Sequence, residues 1–325
     1  MKKIIALALT LALLVAALTI LPACGEQVDT DLEVRITVLN GTTGFGAAKL
    51  MDSAKNGEAA LNYTFAVETD AANINAALIK GEIDIAALPT NAASVLYNKT
   101  EGGVRVIAIN TLGVLYVVEN GNSVNSLADL AGKTVYCPAQ NPEFIFRAVC
   151  ENGGVENVTI DTSYAQPAAL MSTVAASEEG MIAVLPEPVL SVAMSKNANL
   201  RVALDLTAEW TGTLGSNSLV QGCIVVRTAF LEEHPAEVNK FLEEYKASIN
   251  YLNENVAEAA QLVVDLGIYA GAPAIAEKAI PKCNVAFMDG EAMKSALTVF
   301  LSSLYEINPA SVGGKLPADD FYYQK

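Results

Sequence analysis

Two well-separated stretches of the chain share one pattern of apolar and polar positions. Residues 81–91 read Gly-Glu-Ile-Asp-Ile-Ala-Ala-Leu-Pro-Thr-Asn, and residues 179–188 read Glu-Gly-Met-Ile-Ala-Val-Leu-Pro-Glu-Pro. In each, a small turn feeds a continuous apolar run that stops at Leu-Pro before a polar residue, the pattern of a strand buried on both faces. Each also follows a segment of helical spacing, over residues 73–80 and 167–177. Two such units predict two similar α/β halves. Open α/β sheets bind ligands at the carboxyl ends of their strands, so the residues after the two Leu-Pro pairs are expected to face one site.

Residues 32–39 alternate apolar and polar, as in a strand with one exposed face, and run into the loop Asn40-Gly41-Thr42-Thr43-Gly44-Phe45-Gly46. Helical spacing follows over residues 47–55. A strand, a Gly/Thr loop and a helix start either form a cradle of free backbone N–H groups for a polar ligand or make a plain turn. The glycine spacing matches neither nucleotide fingerprint, so nucleotide binding draws little support. Further strands are expected over residues 62–67, 104–110, 114–118, 132–137, 158–160 and 201–204, with 223–226 returning to the first half. Residues 119–125 are dense in turn formers and read as a boundary. Residues 205–221 read as loop and carry the single tryptophan, Trp210, for which core packing is expected ahead of a place bordering the ligand site. Amphipathic helices are predicted over residues 235–253, 256–266 and 292–304, ahead of a polar tail at 318–325.

The N-terminus changes the picture of where the protein works. Lys2 and Lys3 precede an apolar run over residues 4–20, then Leu21-Pro22-Ala23-Cys24-Gly25. This is the layout of an export signal. With Leu21 three positions before it and Ala23 just before it, Cys24 stands where a bacterial lipoprotein carries its lipid. On that reading residues 1–23 are a signal peptide, 24–32 a tether, and the body is extracytoplasmic, anchored to the cell membrane through Cys24. A retained membrane anchor and ordinary secretion are the alternatives, and they also put the body outside the cytoplasm.

The 325-residue chain carries a formal net charge of −16. No basic stripe is available to neutralise phosphates, which argues against nucleic acid and against electrostatic docking on anionic lipid. With one histidine and no CxxC pair, a Cys/His zinc site is not expected, and neither a metal nor a cofactor is called for. An oxidising location permits disulfides among Cys137, Cys150, Cys223 and Cys283, with three full pairings open. The apolar surroundings of Cys150 and Cys223 favour plain buried thiols. His234, just ahead of a helix, has no Ser/His/Asp or Cys/His constellation around it, so no catalytic residue is assigned.

The candidate ligand-binding residues sit at the expected strand ends. They are Thr42, Thr43 and Phe45, then Thr90 and Asn91, then Thr111, and from the second half Gln140, Asn141 and Glu187. Phe45 offers a stacking surface, and Glu187 could hold a cationic or N–H-bearing ligand group or cap the helix after Pro186. The others are uncharged hydrogen-bonders, each of which could instead serve a local turn or cap. These loops contain no Arg or Lys, which favours a neutral or nitrogen-bearing small molecule.

Six segments in order carry a family resemblance. They are the Cys24 motif, Gly81-Glu82-Ile83-Asp84 leading to Pro89-Thr90-Asn91, Asn110-Thr111-Leu112-Gly113, and Ser126-Leu127-Ala128-Asp129-Leu130-Ala131-Gly132-Lys133-Thr134-Val135. Leu185-Pro186-Glu187-Pro188 and Phe230-Leu231-Glu232-Glu233-His234-Pro235 complete the set. Together they make the chain resemble bacterial ABC-importer substrate-binding proteins of the sulfonate, nitrate and thiamine-precursor group. The resemblance implies a type II periplasmic-binding-protein fold: two lobes, each a mixed sheet flanked by helices, joined by a two-crossover hinge. Lobe one would take residues 33–118 and 222–325, and lobe two residues 119–221. It further implies a monomer that closes on a small-molecule ligand and delivers it to an ABC permease and its ATPase. Pyrimidine-precursor and menaquinone-pathway enzymes share the fold but are cytoplasmic, and the export signal counts against them. A ligand-sensing receptor component is the third reading.

Overall fold

The computed structural model describes residues 28–177, 180–215 and 218–324. Cys24 and the start of the tether lie outside them. The first elements are β1 (Glu33–Leu39), α1 (Thr42–Phe45), α2 (Ala48–Lys55), β2 (Asn62–Glu68), α3 (Ala71–Lys80), β3 (Ile85–Pro89), α4 (Thr90–Lys99) and β4 (Val104–Thr111). Next come β5 (Leu115–Asn120), β6 (Thr134–Tyr136), α5 (Asn141–Asn152), β7 (Thr159–Asp161), α6 (Pro167–Ala176), β8 (Ile182–Pro186), α7 (Val189–Lys196), β9 (Leu200–Asp205) and α8 (Leu206–Leu214). The chain continues through β10 (Gly222–Arg227), α9 (Thr228–Glu233), α10 (Pro235–Glu254), α11 (Val256–Asp265), α12 (Pro273–Ala279), β11 (Val285–Met288) and α13 (Gly290–Ile307).

The strands form two sheets, ordered β11-β4-β10-β3-β1-β2 and β7-β6-β8-β5-β9. In the first, β1 runs parallel to β2 and β3, and β10 runs antiparallel between β3 and β4. In the second, β6 runs parallel to β7 and β8, and β5 runs antiparallel between β8 and β9. Apart from the edge strand β11, the two sheets have the same order. The two Leu-Pro stretches hold equivalent places in it. Leu88 and Pro89 of β3 pair with Cys223 and Gly222, while Leu185 and Pro186 of β8 pair with Tyr116 and Leu115. Both strands are buried along their length up to the proline, which explains the unbroken apolar runs.

In each sheet the antiparallel strand is the one that has just crossed over. Thr111 of β4 lies in the first sheet and Leu115 of β5 in the second, so the outward crossing occupies residues 112–114. The expected boundary at residues 118/119 therefore falls inside β5 and moves back to this crossing. The return runs from α8 to Gly222 of β10. Gly222 has a packing reason to be glycine: a Cβ there would stand 2.6 Å from Asn110 Oδ1 and 2.9 Å from the Thr111 side chain.

Three expectations change. Residues 206–214, read as loop, form α8, started by Asp205 accepting from the Thr207 N–H at 2.8 Å. Residues 119–125 are not simply a turn: Glu119 ends up 1% exposed, accepts the Ser123 and Val124 N–H groups, and pairs with Arg201. The C-terminal tail, read only as polar, also buries an aromatic ring and docks on the first lobe. Phe321 is fully buried, the Tyr323 N–H donates to the Val106 carbonyl at 2.9 Å, and the Tyr97 hydroxyl donates to Asp320.

One apolar core runs through both lobes, joining Leu297, Phe300 and Leu304 of α13 to Val149, Leu206 and Trp210 of the second lobe. A separate core backs the other face of the first sheet against α10 and α11. At the edge away from the crossings, Asp84 pins three strands. It accepts from the Arg35 backbone and guanidinium and from Arg227, at 2.7–3.0 Å. Cys137, Cys150, Cys223 and Cys283 are free and buried. No helix among the described residues is long and apolar enough to cross a membrane.

Candidate functional site

The strand β8 delivers Glu187 to the face where the two lobes meet. Glu187 is 2% exposed, and its N–H donates to the Val114 carbonyl on the outward crossing at 2.9 Å. Its carboxylate accepts the Ser191 N–H at 3.1 Å and the Ser191 hydroxyl at 3.0 Å, so it does cap the first turn of α7. From the first lobe, Lys282 Nζ comes within 3.8 Å of Glu187 Oε1. Burial pushes the Glu187 carboxyl above its ordinary range, and the Ser191 bonds and the Lys282 charge only partly oppose it.

Neighbouring groups complete a polar seam between the lobes. The Tyr116 hydroxyl on β5 donates to the Lys282 carbonyl at 2.9 Å, and Asn284 Nδ2 donates to the Gly113 carbonyl at 2.6 Å. Tyr269 brings a buried hydroxyl that finds no hydrogen-bond partner. Burial, then the charges of Glu187 and Cys283, raise its pKa. A buried hydroxyl without a partner is costly, which sets this one apart from the satisfied polar groups around it.

The loop after β1 lies beside this seam. The Gly41 N–H donates to the Ile268 carbonyl at 2.8 Å, which ties this loop to the segment that carries Tyr269; Thr42 and Thr43 are both half-buried. Asn110 Nδ2 donates to the Thr43 carbonyl at 2.8 Å and holds the loop from below. Phe45 differs from expectation. It is fully buried and packs edge-on to Tyr269, ring centroids 6.2 Å apart, so it belongs to the core and offers no free stacking face.

Thr90, Thr111 and Asn91 are turned to internal partners. Thr90 is fully buried, its hydroxyl donating to the Val220 carbonyl at 2.6 Å and its N–H to Gln221 at 3.1 Å. Thr111 is 1% exposed, accepts the Gln221 N–H at 2.9 Å, and donates its hydroxyl to Asn110 Oδ1 at 3.1 Å. Both therefore hold the return crossing in place. Asn91 Nδ2 reaches the Ser311 carbonyl at 3.4 Å, away from the seam. Gln140 is exposed at the start of α5 with φ +66°, and Asn141 is half-buried with an unpartnered Oδ1. The parallel pairing of β6 and β8 puts both on the same sheet edge as Glu187.

The sequence analysis named Glu187 and did not name Tyr116, Tyr269, Lys282 and Asn284, which the fold brings to the same seam. Tyr116 sits inside a strand, and the others lie in a stretch between helices that no motif marks. The one local signal was the break at Gly267, Gly271 and Pro273. His234 packs on Phe230, centroids 4.9 Å apart, and no group of metal-binding side chains occurs among the described residues.

Two sheets of matching order, two crossings and a polar seam between them define the two-lobe class of periplasmic binding proteins. The chain belongs to the NMT1/THI5-like family, whose model matches residues 58–259. Among solved structures, an ABC transporter protein from Parabacteroides distasonis is similar, at 24% identity over 91% of this chain and 100% of that one, with TM-score 0.75. The periplasmic aliphatic sulphonate binding protein SsuA of Escherichia coli follows at 13% identity, 90% and 92% coverage and TM-score 0.70. The alkanesulfonate-binding protein SsuA of Xanthomonas axonopodis pv. citri, bound to MOPS, has 13% identity, 90% and 96% coverage and TM-score 0.62. No curated protein matches the chain.

Proposed function

We propose that the protein is an extracytoplasmic solute-binding protein of an ABC importer. It captures a small organic molecule between its lobes, and the closed form presents that molecule to a permease driven by an ATPase. The observation that carries this reading is the seam itself: Glu187 and Tyr116 from one lobe meet Lys282 and Tyr269 from the other. Ligand contacts drawn from two lobes exist together only when the lobes are closed, so binding shifts the population toward closure. Family membership and the functions of the structural relatives support the same conclusion. Of the candidate residues, Thr42, Thr43, Gln140, Asn141 and Glu187 are assigned to ligand contact, and Thr90, Asn91 and Thr111 to holding the crossing and the loop ends. The protein acts as a monomer, tethered by a lipid on Cys24, and no catalytic step is assigned to it.

Native mass spectrometry and thermal melting against pooled small metabolites test capture, and uptake by vesicles containing the permease tests delivery. A stoichiometric adduct with raised Tm and protein-dependent uptake is the expected result. No adduct from any pool, together with uptake indifferent to the protein, would overturn the reading. Cys24→Ser is expected to release the protein from membranes; retention would remove the lipid tether.

A further inference from the structure

The pair formed by Glu187 and Lys282 is unequal. Glu187 is almost wholly buried and committed through Ser191, yet an ionised carboxylate accepts at about four lone-pair sites and each oxygen here has one protein donor. Lys282 Nζ, at 3.8 Å, supplies charge but no directed hydrogen bond, and its side chain is 42% exposed. Its backbone is held by Tyr116, so the flexible ammonium arm is the part free to swing. The other titratable groups that sense Glu187 are Tyr116, Tyr269 and Cys283, which are neutral at ordinary pH. Among the described residues, Lys282 is the one cation within ion-pair distance of this carboxylate.

We infer that Lys282 is a built-in surrogate for the ligand. The cleft takes a small organic molecule bearing an N–H cation, such as an ammonium, an amidinium or a protonated ring nitrogen. That group seats on Glu187 while Lys282 withdraws to solvent. The exchange trades a charge at 3.8 Å for charge-assisted hydrogen bonds on the same carboxylate. An anionic group in this position would meet a buried carboxylate instead. The inference rests on the binding-protein reading above.

A simple alkylammonium ion can stand in for the cationic group of the ligand. Lys282→Ala leaves Glu187 without its counter-charge, and ethylammonium chloride should raise the Tm of this variant by about 2 °C or more over sodium chloride of equal ionic strength. The double variant Lys282→Ala, Glu187→Gln should show no such gain. No gain in the single variant, or an equal gain in both, would overturn the inference. Should Lys282→Ala fail to fold, Lys282→Gln takes its place in the same comparison. Rescue without protein-dependent uptake would count against the importer reading alone, and uptake without rescue against the surrogate alone.

Discussion

Trp210 of the second lobe packs on Phe300 of the C-terminal helix, their ring centroids 5.7 Å apart and the planes tilted by 48°. Both are fully buried, and Trp210 Nε1 donates to Ser218 Oγ on the return crossing at 2.8 Å. The contact joins α13 to the second lobe, so the apolar core that runs through both lobes passes between them here. Phe300→Ala should cost about 3–5 kcal/mol of stability. Urea denaturation measures it, and a loss below about 1 kcal/mol would mean that the two lobes do not share this core.

Asp84 binds Arg35 and Arg227 at once and thereby ties β1, β3 and β10. Burial disfavours its charge, but the two guanidinium groups outweigh that and hold the carboxyl below its ordinary range. Its stabilising contribution is therefore complete above about pH 4 and lost as pH falls through the lowered pKa. Asp84→Asn should cost about 2–3 kcal/mol at neutral pH, less than a fully buried pair because Arg35 is partly exposed. The variant should also show a flatter acid limb. An unchanged acid limb would refute the assignment.

For Glu187 the sign is opposite. Burial raises its carboxyl in the folded state, so the native protein holds this proton more tightly and loses stability as pH rises from about 4.5 through the raised pKa. Glu187→Gln should melt at or above the wild type at pH 7, with the difference shrinking toward pH 4, while ligand affinity falls about tenfold or more. A variant less stable across the whole range would show that the carboxylate is there for the fold.

Thr90→Val keeps the shape of a buried side chain and deletes its bond to the Val220 carbonyl. The expected cost is about 1–2 kcal/mol of stability, with ligand affinity changed much less than by Glu187→Gln. A large affinity loss at unchanged stability would return Thr90 to the ligand.

The four buried thiols should be inert. Burial pushes the Cys150 thiol up to about 12 and raises Cys137, Cys223 and Cys283 as well, so little thiolate exists at neutral pH. A thiol reagent should modify none of them in the folded protein and all four after unfolding. Two or none after unfolding would reveal a disulfide.

Patterns local to the chain were readable from it directly. The apolar runs ending at Leu88-Pro89 and Leu185-Pro186 mark central strands because such strands are buried on both faces, wherever their partners lie in the sequence. Spacing by three and four marks α10, α11 and α13 for the same kind of reason. Partner choice is different. Thr90 and Thr111 looked like ligand contacts because a polar residue at a strand end has two plausible destinations, and the return of residues 218–221 past both gave them another. Glu119 looked like the start of a turn until Arg201 arrived from β9 to pair with it. Lys282 and Tyr269 carried no motif at all. Their meeting with Glu187 joins segments about a hundred residues apart across two lobes, and such non-local contacts are decided by chain topology rather than by local pattern.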